Sequence, residues 1–286
     1  MFEHWAFGRA LPAFLLTAFM ALPVQAGLIA AYGHENPDNR LQDDTGNGHT
    51  LTNVGDVTFI DAPAQPGFYY FKLGDTVAQY SGARHLQVPD GVYPQVEGAG
   101  GSFTFTGLVN CTGTGGFQTI LSADRFRFQR RLINGNPGMN ISIGGVPSNN
   151  HWAAADFALD TWYFVALRYD QPNNSLTAFI DGASDTWDPA TLTVSVPAAF
   201  NDLQNLTLGR NMIDTSQVWY GFDNWNGMID SARFYTTALS DSELEAVFFQ
   251  FAVPEPSAVV LLLVGLCGVL LRRSRRRACR GPALIA

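Results

Sequence analysis

Apolar and polar positions alternate along most of the chain in short runs separated by Gly, Asn, Asp and Pro, which is typical of β-strands joined by tight turns. Residues 102–109 begin with alternating Phe and Thr, and residues 162–169 form a near-continuous apolar run. Because a turn at 170–174 leads into another apolar run at 176–180, we expect a central hairpin. The pattern predicts an all-β protein, a sandwich or a barrel.

One segment near the end of this pattern has helical spacing instead. Ser240 is the predicted N-cap, and Glu243, three residues later, completes a capping box. The helix is predicted from Asp241 to about Gln250, and we expect its apolar stripe to pack on a sheet. The stripe consists of Leu244, Val247, Phe248 and Phe251.

The N-terminus has the features of an export signal. Residues 10–22 are apolar except for a proline and a threonine, and small residues at Val24 and Ala26 match the positions that a signal peptidase reads. We therefore predict a signal peptide at residues 1–26. An uncleaved anchor is the alternative, because Glu3 offsets the positive charge of Arg9.

The C-terminus combines the motif Pro254-Glu255-Pro256, an apolar run at 258–271 and an arginine cluster at 272–277. As a helix the run would rise only about 21 Å, less than the roughly 30 Å hydrocarbon core of a bilayer. Snorkelling arginines and local thinning still permit a span, and the positive-inside rule places the arginines in the cytoplasm. Everything before the motif is then expected outside the inner membrane.

This order of motif, short span and arginines resembles the PEP-CTERM sorting signal of Gram-negative bacteria, here residues 252–286. The resemblance implies that an exosortase cuts near Pro254, Glu255 and Pro256. The protein would then pass from the inner membrane to the cell surface or the exopolysaccharide matrix. A plain tail anchor is the alternative, although anchoring does not require two prolines at the entry to the span.

The remaining span, residues 27–251, is long enough for one substantial core and is strongly acidic. It holds 10 Lys and Arg against 23 Asp and Glu, a net charge of −13, whereas the whole chain carries −8. This charge repels phosphate backbones and so excludes nucleic acid as an expected partner. Cys111 is the only cysteine of the span, so the fold cannot depend on an internal disulfide, and we interpret this residue as a buried small hydrophobe.

Three segments in chain order resemble laminin G-like domains of the concanavalin A-like jelly roll. They are an opening strand with an Asp-x-x-Gly-Asn loop at 28–55, the hairpin at 160–182, and a last strand with its helix at 222–248. The last segment meets the family pattern at Gly227, Ile229, Asp230, Arg233, Tyr235, Ala238, Leu239, Ser240 and Glu243. The resemblance implies a two-sheet antiparallel jelly-roll sandwich with one short C-terminal helix.

The motifs of known jelly-roll enzymes are absent from the sequence. The Glu-x-Asp-x-x-Glu string of laminarinase-like glycanases does not occur, and no Gln-x-His follows the arginine-rich stretch 125–132, as it does in alginate lyases of this fold. The histidines are scattered, and no serine lies in a nucleophile elbow. We expect a protein that is not an enzyme, with a divergent polysaccharide lyase or hydrolase as the less favoured alternative.

The resemblance also implies a structural Ca²⁺ between the N-terminal loop and the last strand. The candidate ligands, all with the hard oxygens that Ca²⁺ prefers, are Asp43, Asp44, Asn47 and Asp230. An Asx turn with glycine at positive φ explains the same loop without an ion. Both interpretations remain open at this point.

Ligand contacts are expected from arginines and aromatic residues. Arg125, Arg127 and Arg131 share one strand face by period two, and guanidinium groups bind carboxylates or sulfates in bidentate fashion. Indole faces stack on sugars, which makes the following residues candidates: Trp152, Trp187, Trp219, Tyr220 and Trp225. Alternatively, the arginines protect a sheet edge and the tryptophans belong to the core, as we expect for Trp162.

Together these features predict an exported, non-enzymatic laminin G-like jelly roll that binds a glycan or exopolysaccharide at the cell surface or in the matrix. A matrix structural protein without a ligand of its own is the alternative.

Overall fold

The computed structural model describes residues 27–62, 75–92, 101–144, 150–182, 186–196, 205–211 and 223–252. The predicted signal peptide, the Pro-Glu-Pro motif and the C-terminal apolar run lie outside these residues. Among the residues described, none of the helices combines the length and the apolar character needed to cross a bilayer.

Fifteen strands and one α-helix are found within the described ranges. In chain order they are β1 (Leu28–Tyr32), β2 (Thr52–Val54), β3 (Thr58–Asp61), β4 (Thr76–Tyr80), β5 (His85–Gln87), β6 (Phe103–Cys111), β7 (Phe117–Ala123), β8 (Phe126–Ile133), β9 (Asn136–Ile143), β10 (Asn150–Ala154), β11 (Trp162–Asp170), β12 (Ser175–Gly182), β13 (Ala190–Ser195), β14 (Thr207–Leu208), β15 (Gly227–Tyr235) and α1 (Asp241–Ala252).

The strands form two antiparallel sheets. The eight-stranded sheet has the order β13-β12-β11-β6-β15-β4-β3, with β1 also paired to β15, and the seven-stranded sheet has the order β10-β9-β8-β7-β14-β5-β2. Their inner faces meet in one apolar core, where for example the rings of Phe103 and Phe126 lie 6.0 Å apart across the sandwich. The predicted two-sheet jelly-roll sandwich with one short helix is confirmed.

The predicted central hairpin is also confirmed. Strands β11 and β12 pair without interruption from Tyr163 opposite Gly182 to Asp170 opposite Ser175. The connecting turn contains Asn174 at a φ of 46°, a left-handed conformation that asparagine tolerates better than most residues. Trp162, at the start of β11, is fully buried, as expected from the sequence.

Helix α1 begins with the predicted capping box. The backbone N–H of Ser240 donates to the Glu243 carboxylate at 2.7 Å, and the backbone N–H of Glu243 donates to the Ser240 hydroxyl at 3.3 Å. Arg168 on β11 fixes the same end of the helix through a 2.7 Å ion pair with Asp241. The apolar stripe packs on the outer face of the eight-stranded sheet, against residues that include Phe164.

The two outer faces of the sandwich therefore differ in chemistry. The outer face of the eight-stranded sheet is apolar beneath α1 and forms a second hydrophobic cluster. On the seven-stranded sheet, buried polar residues occupy the corresponding positions, among them Thr119, Ser122, Gln129 and Asn140. Buried polar side chains are stable only when they are hydrogen-bonded, so this second face has a specific organisation.

Candidate functional site

Strand alternation on β8 separates core residues from an outward polar series. Phe126 and Phe128 belong to the core, so Arg127, Gln129 and Arg131 point to the outer face of the seven-stranded sheet. Arg125 lies in the exposed turn before β8 begins, so β8 itself carries Arg127 and Arg131 of the predicted three-arginine stripe, with Gln129 between them.

Strand register places the outward residues in three rows across the sheet, which we call the polar face. The first row crosses all seven strands through Asn150, Ser142, Arg127, Ser122, Thr207, Gln87 and Thr52. The second row contains Trp152, Asn140, Gln129 and Thr119. The third row contains Ala154, Gly138, Arg131 and Phe117.

Hydrogen bonds between side chains fix the centre of the polar face. The side chain of Gln129, which is fully buried, donates to the Thr119 hydroxyl at 2.9 Å and accepts from Asn140 at 3.2 Å. Asn140 also donates to Ser142 at 3.0 Å, and the Ser142 hydroxyl bonds to the Asn150 side chain. Because most of these groups have protein partners, the amides are held in single orientations before any ligand arrives.

A partly buried ion pair lies in the first row. Arg127 donates to Asp223 at 3.0 Å, and the two side chains are only 17% and 11% exposed. Burial raises the pKa of Asp223, although Arg127 and a hydrogen bond from Asn211 act to lower it. Burial likewise lowers the pKa of Arg127, against the opposing effect of Asp223. Each charge is thus incompletely compensated by its partner.

Arg131 in the third row is held differently. Its guanidinium group lies over the ring of Phe117, 4.5 Å from the centroid, and one Nη donates to the side-chain Oδ1 of Asn140 at 3.2 Å. Burial lowers its pKa, which the more distant Asp223 acts to raise. No other hydrogen bond of this guanidinium to a described residue exists, so donors remain for a ligand.

Two further donors of the polar face are buried with no hydrogen-bond partner in the described part of the chain: Arg127 Nε and Trp152 Nε1. The indole of Trp152 lies against the backbone of Gly138, where an added Cβ would come within 2.7 Å of Nε1, so any larger residue would displace the ring. An unsatisfied buried donor is costly, at about 1–3 kcal/mol.

The remaining aromatic candidates do not contribute to this face. Trp225 is fully buried in the main core and donates to the backbone of Met228 at 3.3 Å, and Trp187 packs among Phe179, Phe164 and Phe248 in the cluster beneath α1. The predicted surface role of Trp225 is wrong, because the residue is fully buried. Trp187 is partly exposed on the other sheet, and its ligand role stays a prediction. Trp219 and Tyr220 lie outside the described residues.

In the predicted calcium loop, the Asp43 carboxylate accepts hydrogen bonds from the protein itself. Both carboxylate oxygens of Asp43 accept hydrogen bonds, from the backbone N–H groups of Ala31, Thr45 and His49 at 3.0–3.4 Å and from the Thr45 hydroxyl at 2.8 Å. Burial acts to raise the pKa of Asp43, but these donors outweigh it and the pKa is lowered. This is the Asx-turn interpretation of the loop.

The other loop candidates are also engaged. The Asp44 carboxylate accepts from the backbone N–H of Gly33 at 2.7 Å, and the Asn47 side chain donates to the Ile29 carbonyl at 2.9 Å. In the described part of the chain, no three His, Cys, Asp or Glu side chains form a group suited to a metal ion. The predicted four-residue set therefore does not assemble into one coordination shell here.

Asp230, on β15, is the candidate with free coordination capacity. It is 4% exposed, its Oδ2 accepts from the Ser231 hydroxyl at 2.9 Å, and its Oδ1 is buried with no partner among the residues described. Burial raises the pKa of Asp230 to about 8, and the nearby charges of Glu35 and Asp75 add to the shift. Calcium binding remains a prediction, and Asp230 is the residue on which it depends.

Sequence reasoning missed most of the polar face. Gln129, Asn140, Asn150, Asp223 and Thr119 were not singled out, although several belong to polar series with period two, such as Asn140-x-Ser142 and Asn150-x-Trp152. Such a series predicts that one face of a strand is polar. It does not show that neighbouring strands bring their polar faces together.

Comparisons with known proteins agree with this architecture. A laminin G family model, described as the concanavalin A-like lectin/glucanases superfamily, matches residues 81–245, which is more than half of the chain. A comparison with the sequences of curated proteins gives no match.

Several solved structures share the fold at low sequence identity. Domain 4 of AbnA, a GH43 extracellular arabinanase from Geobacillus stearothermophilus in complex with arabinotriose, has a TM-score of 0.50 at 17% identity, with 77% of this chain and 97% of that one covered. The binding domain of botulinum neurotoxin DC in complex with SialylT has a TM-score of 0.52 at 16% identity, covering 79% of this chain and 52% of that one. The present chain thus spans about half of the second structure.

Proposed function

We propose that the polar face of the seven-stranded sheet binds a glycan. The chain belongs to the concanavalin A-like lectin/glucanases superfamily. The observation that carries the proposal is that Arg131 and Trp152, both partly exposed, lie on cross-strand rows of hydrogen-bonded amides. A flat indole beside fixed amides suits a sugar ring, which has an apolar face and a polar rim.

The structural comparisons support the same class of ligand. Domain 4 of the arabinanase was solved with arabinotriose, and the binding domain of botulinum neurotoxin DC with SialylT. Both relatives share the fold of this chain at 16–17% identity, which does not transfer a site. Glycan binding by this chain is therefore proposed from its own polar face.

We favour binding over catalysis because the carboxylate at the polar face is already bound by other side chains. Asp223 is the carboxylate that the structure brings to the rows, and it is held by Arg127 and Asn211. A glycosidase of the common type needs two carboxyl groups about 5 to 9 Å apart, one of them free to transfer a proton. Release of reducing sugar from a bound glycan would contradict this part of the proposal.

Replacing Trp152 with alanine is expected to weaken glycan binding at least tenfold, because an aromatic anchor in an interface commonly contributes more than about 1.4 kcal/mol. The measurement is a glycan array of the purified protein, followed by calorimetry with the glycan that binds best. Leu132→Ala is the matched control, since Leu132 is exposed on β8 but alternates with Arg131 and so lies off the polar face.

Equal loss of binding in both variants, or none in either, would contradict a site at the polar face. If the wild-type protein binds no glycan on the array, the alternative of a matrix structural protein without its own ligand is favoured. Thermal melts of both variants distinguish lost binding from lost folding.

The proposed setting is the outside of a Gram-negative cell. The predicted signal peptide at 1–26 and the sorting signal at 252–286 would bring the domain through the inner membrane to an exosortase, and then to the surface or matrix where exopolysaccharide is found. A glycan-binding domain delivered there would hold the protein in the matrix after the anchor is removed.

Replacement of Pro254, Glu255 and Pro256 by alanines is expected to leave full-length protein in the inner membrane, while the wild-type protein appears outside in a shortened form. Cell fractionation with immunoblotting measures both. The apolar run and the arginines are unchanged in this variant, so membrane insertion itself should persist. Equal processing of both proteins would reduce the segment to a plain anchor.

A further inference from the structure

The two arginines of the polar face differ in how much of their charge is available. Arg127 is bound by a carboxylate of the same chain, Asp223, at 3.0 Å, and its second Nη donates to the side-chain Oδ1 of Asn150 at 3.4 Å. Among the described residues, the hydrogen bond of Arg131 is the one from an Nη to the Asn140 side-chain oxygen, and its flat face rests on Phe117. The second guanidinium is therefore fixed in position but forms no ion pair with a described carboxylate.

We infer that the polar face binds a glycan bearing carboxylate groups. Arg131 binds a carboxylate of the ligand, while Asp223 competes with the ligand for Arg127 by forming an ion pair with it. The inference rests on the glycan binding proposed above and specifies its ligand. The ion pair itself supports a carboxylate over other anions, because a carboxylate already occupies the Arg127 guanidinium in this face.

The position of Arg131 fits the role of a ligand contact. Cation–π stacking on Phe117 and the bond to Asn140 fix the plane of the guanidinium, so little side-chain entropy is lost when a ligand binds. Trp152 is in the neighbouring row, on the strand two places from β8. Neighbouring strands lie about 4.8 Å apart and neighbouring rows about 6.8 Å, so the two side chains start about 12 Å from each other, a span that a short oligosaccharide can bridge.

The overall charge of the protein makes such a local arrangement necessary. The span 27–251 carries −13, so a polyanion approaches against a repulsive field that salt screens over roughly 8 Å at physiological ionic strength. At contact distance the polar face presents two guanidinium groups against the single carboxylate of the ion pair. The attraction is thus short-range, and it favours a defined subsite over general adsorption.

The competitor role of Asp223 leads to an unusual expectation, a gain of affinity on mutation. Asp223→Asn keeps the shape of the side chain and leaves an amide oxygen for Asn211, but it removes the charge that neutralises Arg127. The freed guanidinium can then share the ligand carboxylate with Arg131. Damage to the structure would lower affinity for every ligand, so a gain that is specific for acidic glycans cannot arise from damage alone.

The experiment compares trigalacturonic acid with neutral arabinotriose by calorimetry on the purified full chain. Arg131→Gln is expected to weaken binding of the acid about tenfold and of arabinotriose less than twofold, since one charge-assisted contact is lost. Asp223→Asn is expected to strengthen binding of the acid about tenfold and leave arabinotriose unchanged. Arg125→Gln removes the same charge from the exposed turn and is the matched control, expected to have less than a twofold effect.

The outcomes separate this inference from the proposed function. Binding of arabinotriose without binding of the acid, or equal effects of Arg131→Gln and Arg125→Gln on the acid, overturns the inference and leaves glycan binding in place. An unchanged or weakened affinity of Asp223→Asn for the acid overturns the competitor role. If neither trigalacturonic acid nor arabinotriose binds and the array shows no ligand, both the inference and the proposed function are overturned. If Arg131→Gln melts early, Arg131→Lys replaces it, and retention of full affinity for the acid by the lysine variant contradicts bidentate recognition.

Discussion

Phe248→Ala is expected to lower the free energy of unfolding by about 3–5 kcal/mol, the usual cost of removing a buried aromatic ring from a core. The ring of Phe248 has no exposed surface and lies 5.6 Å from the ring of Phe164 and 5.3 Å from that of Trp187. It therefore joins α1 to the outer face of the eight-stranded sheet and to the chain after β12. Urea unfolding followed by circular dichroism measures the change.

Phe249→Ala is the matched control, because the neighbouring ring is partly buried and only borders the same cluster. It should cost less than half as much. Equal costs for the two variants would mean that α1 is not docked through its predicted stripe.

Asp230 is expected to make stability fall as the pH rises from about 4 to about 8 when calcium is chelated. Its folded-state pKa is raised to about 8 by burial, whereas an aspartate in the unfolded chain titrates near 3.9. Between these values the folded state holds a proton that the unfolded state has released. The contribution of Asp230 to the free energy of unfolding is therefore complete below the unfolded pKa. It is lost at about 1.4 kcal/mol per pH unit between the unfolded and the folded pKa.

Asp230→Asn is expected to remove this slope and to be more stable than the wild-type protein at pH 8 in chelator. The free energy of unfolding is measured with urea at pH 5 and pH 8. The control is Asp61→Asn, which removes an exposed carboxylate on β3 and should retain the slope. If Ca²⁺ binds the ionised Asp230, calcium should stabilise the wild-type protein at pH 8 and not the variant. The same pH dependence in wild-type and Asp230→Asn proteins would contradict the buried, uncompensated carboxylate.

Elements defined by local signals could be predicted from the sequence. The capping box of Ser240 and Glu243 and the apolar stripe behind it specify α1 within one segment, and two apolar runs around a five-residue turn specify the β11–β12 hairpin. These interactions join residues that are close in the chain, so their pattern is visible before folding. The jelly-roll arrangement was reached through the resemblance of three such segments to one family.

The polar face could not be predicted in the same way, because its rows join residues that are far apart in the chain. Ser122 lies beside Thr207 only because β7 pairs with β14, and Asp223 reaches Arg127 across 96 positions. The burial of Trp225 also depends on a contact between residues that are distant in the chain. Its backbone N–H donates to the carbonyl of Gly209, 16 positions earlier. Pairing at this range depends on the whole sandwich and leaves no local pattern.

The most direct test of the glycan-binding face is a crystal structure of the protein with the glycan that binds best on the array. The expected result is a sugar over β8, β9 and β10, with Trp152 against a ring and a hydrogen bond from Arg131. Density for the sugar at the eight-stranded sheet, or on loops away from these three strands, would contradict the account.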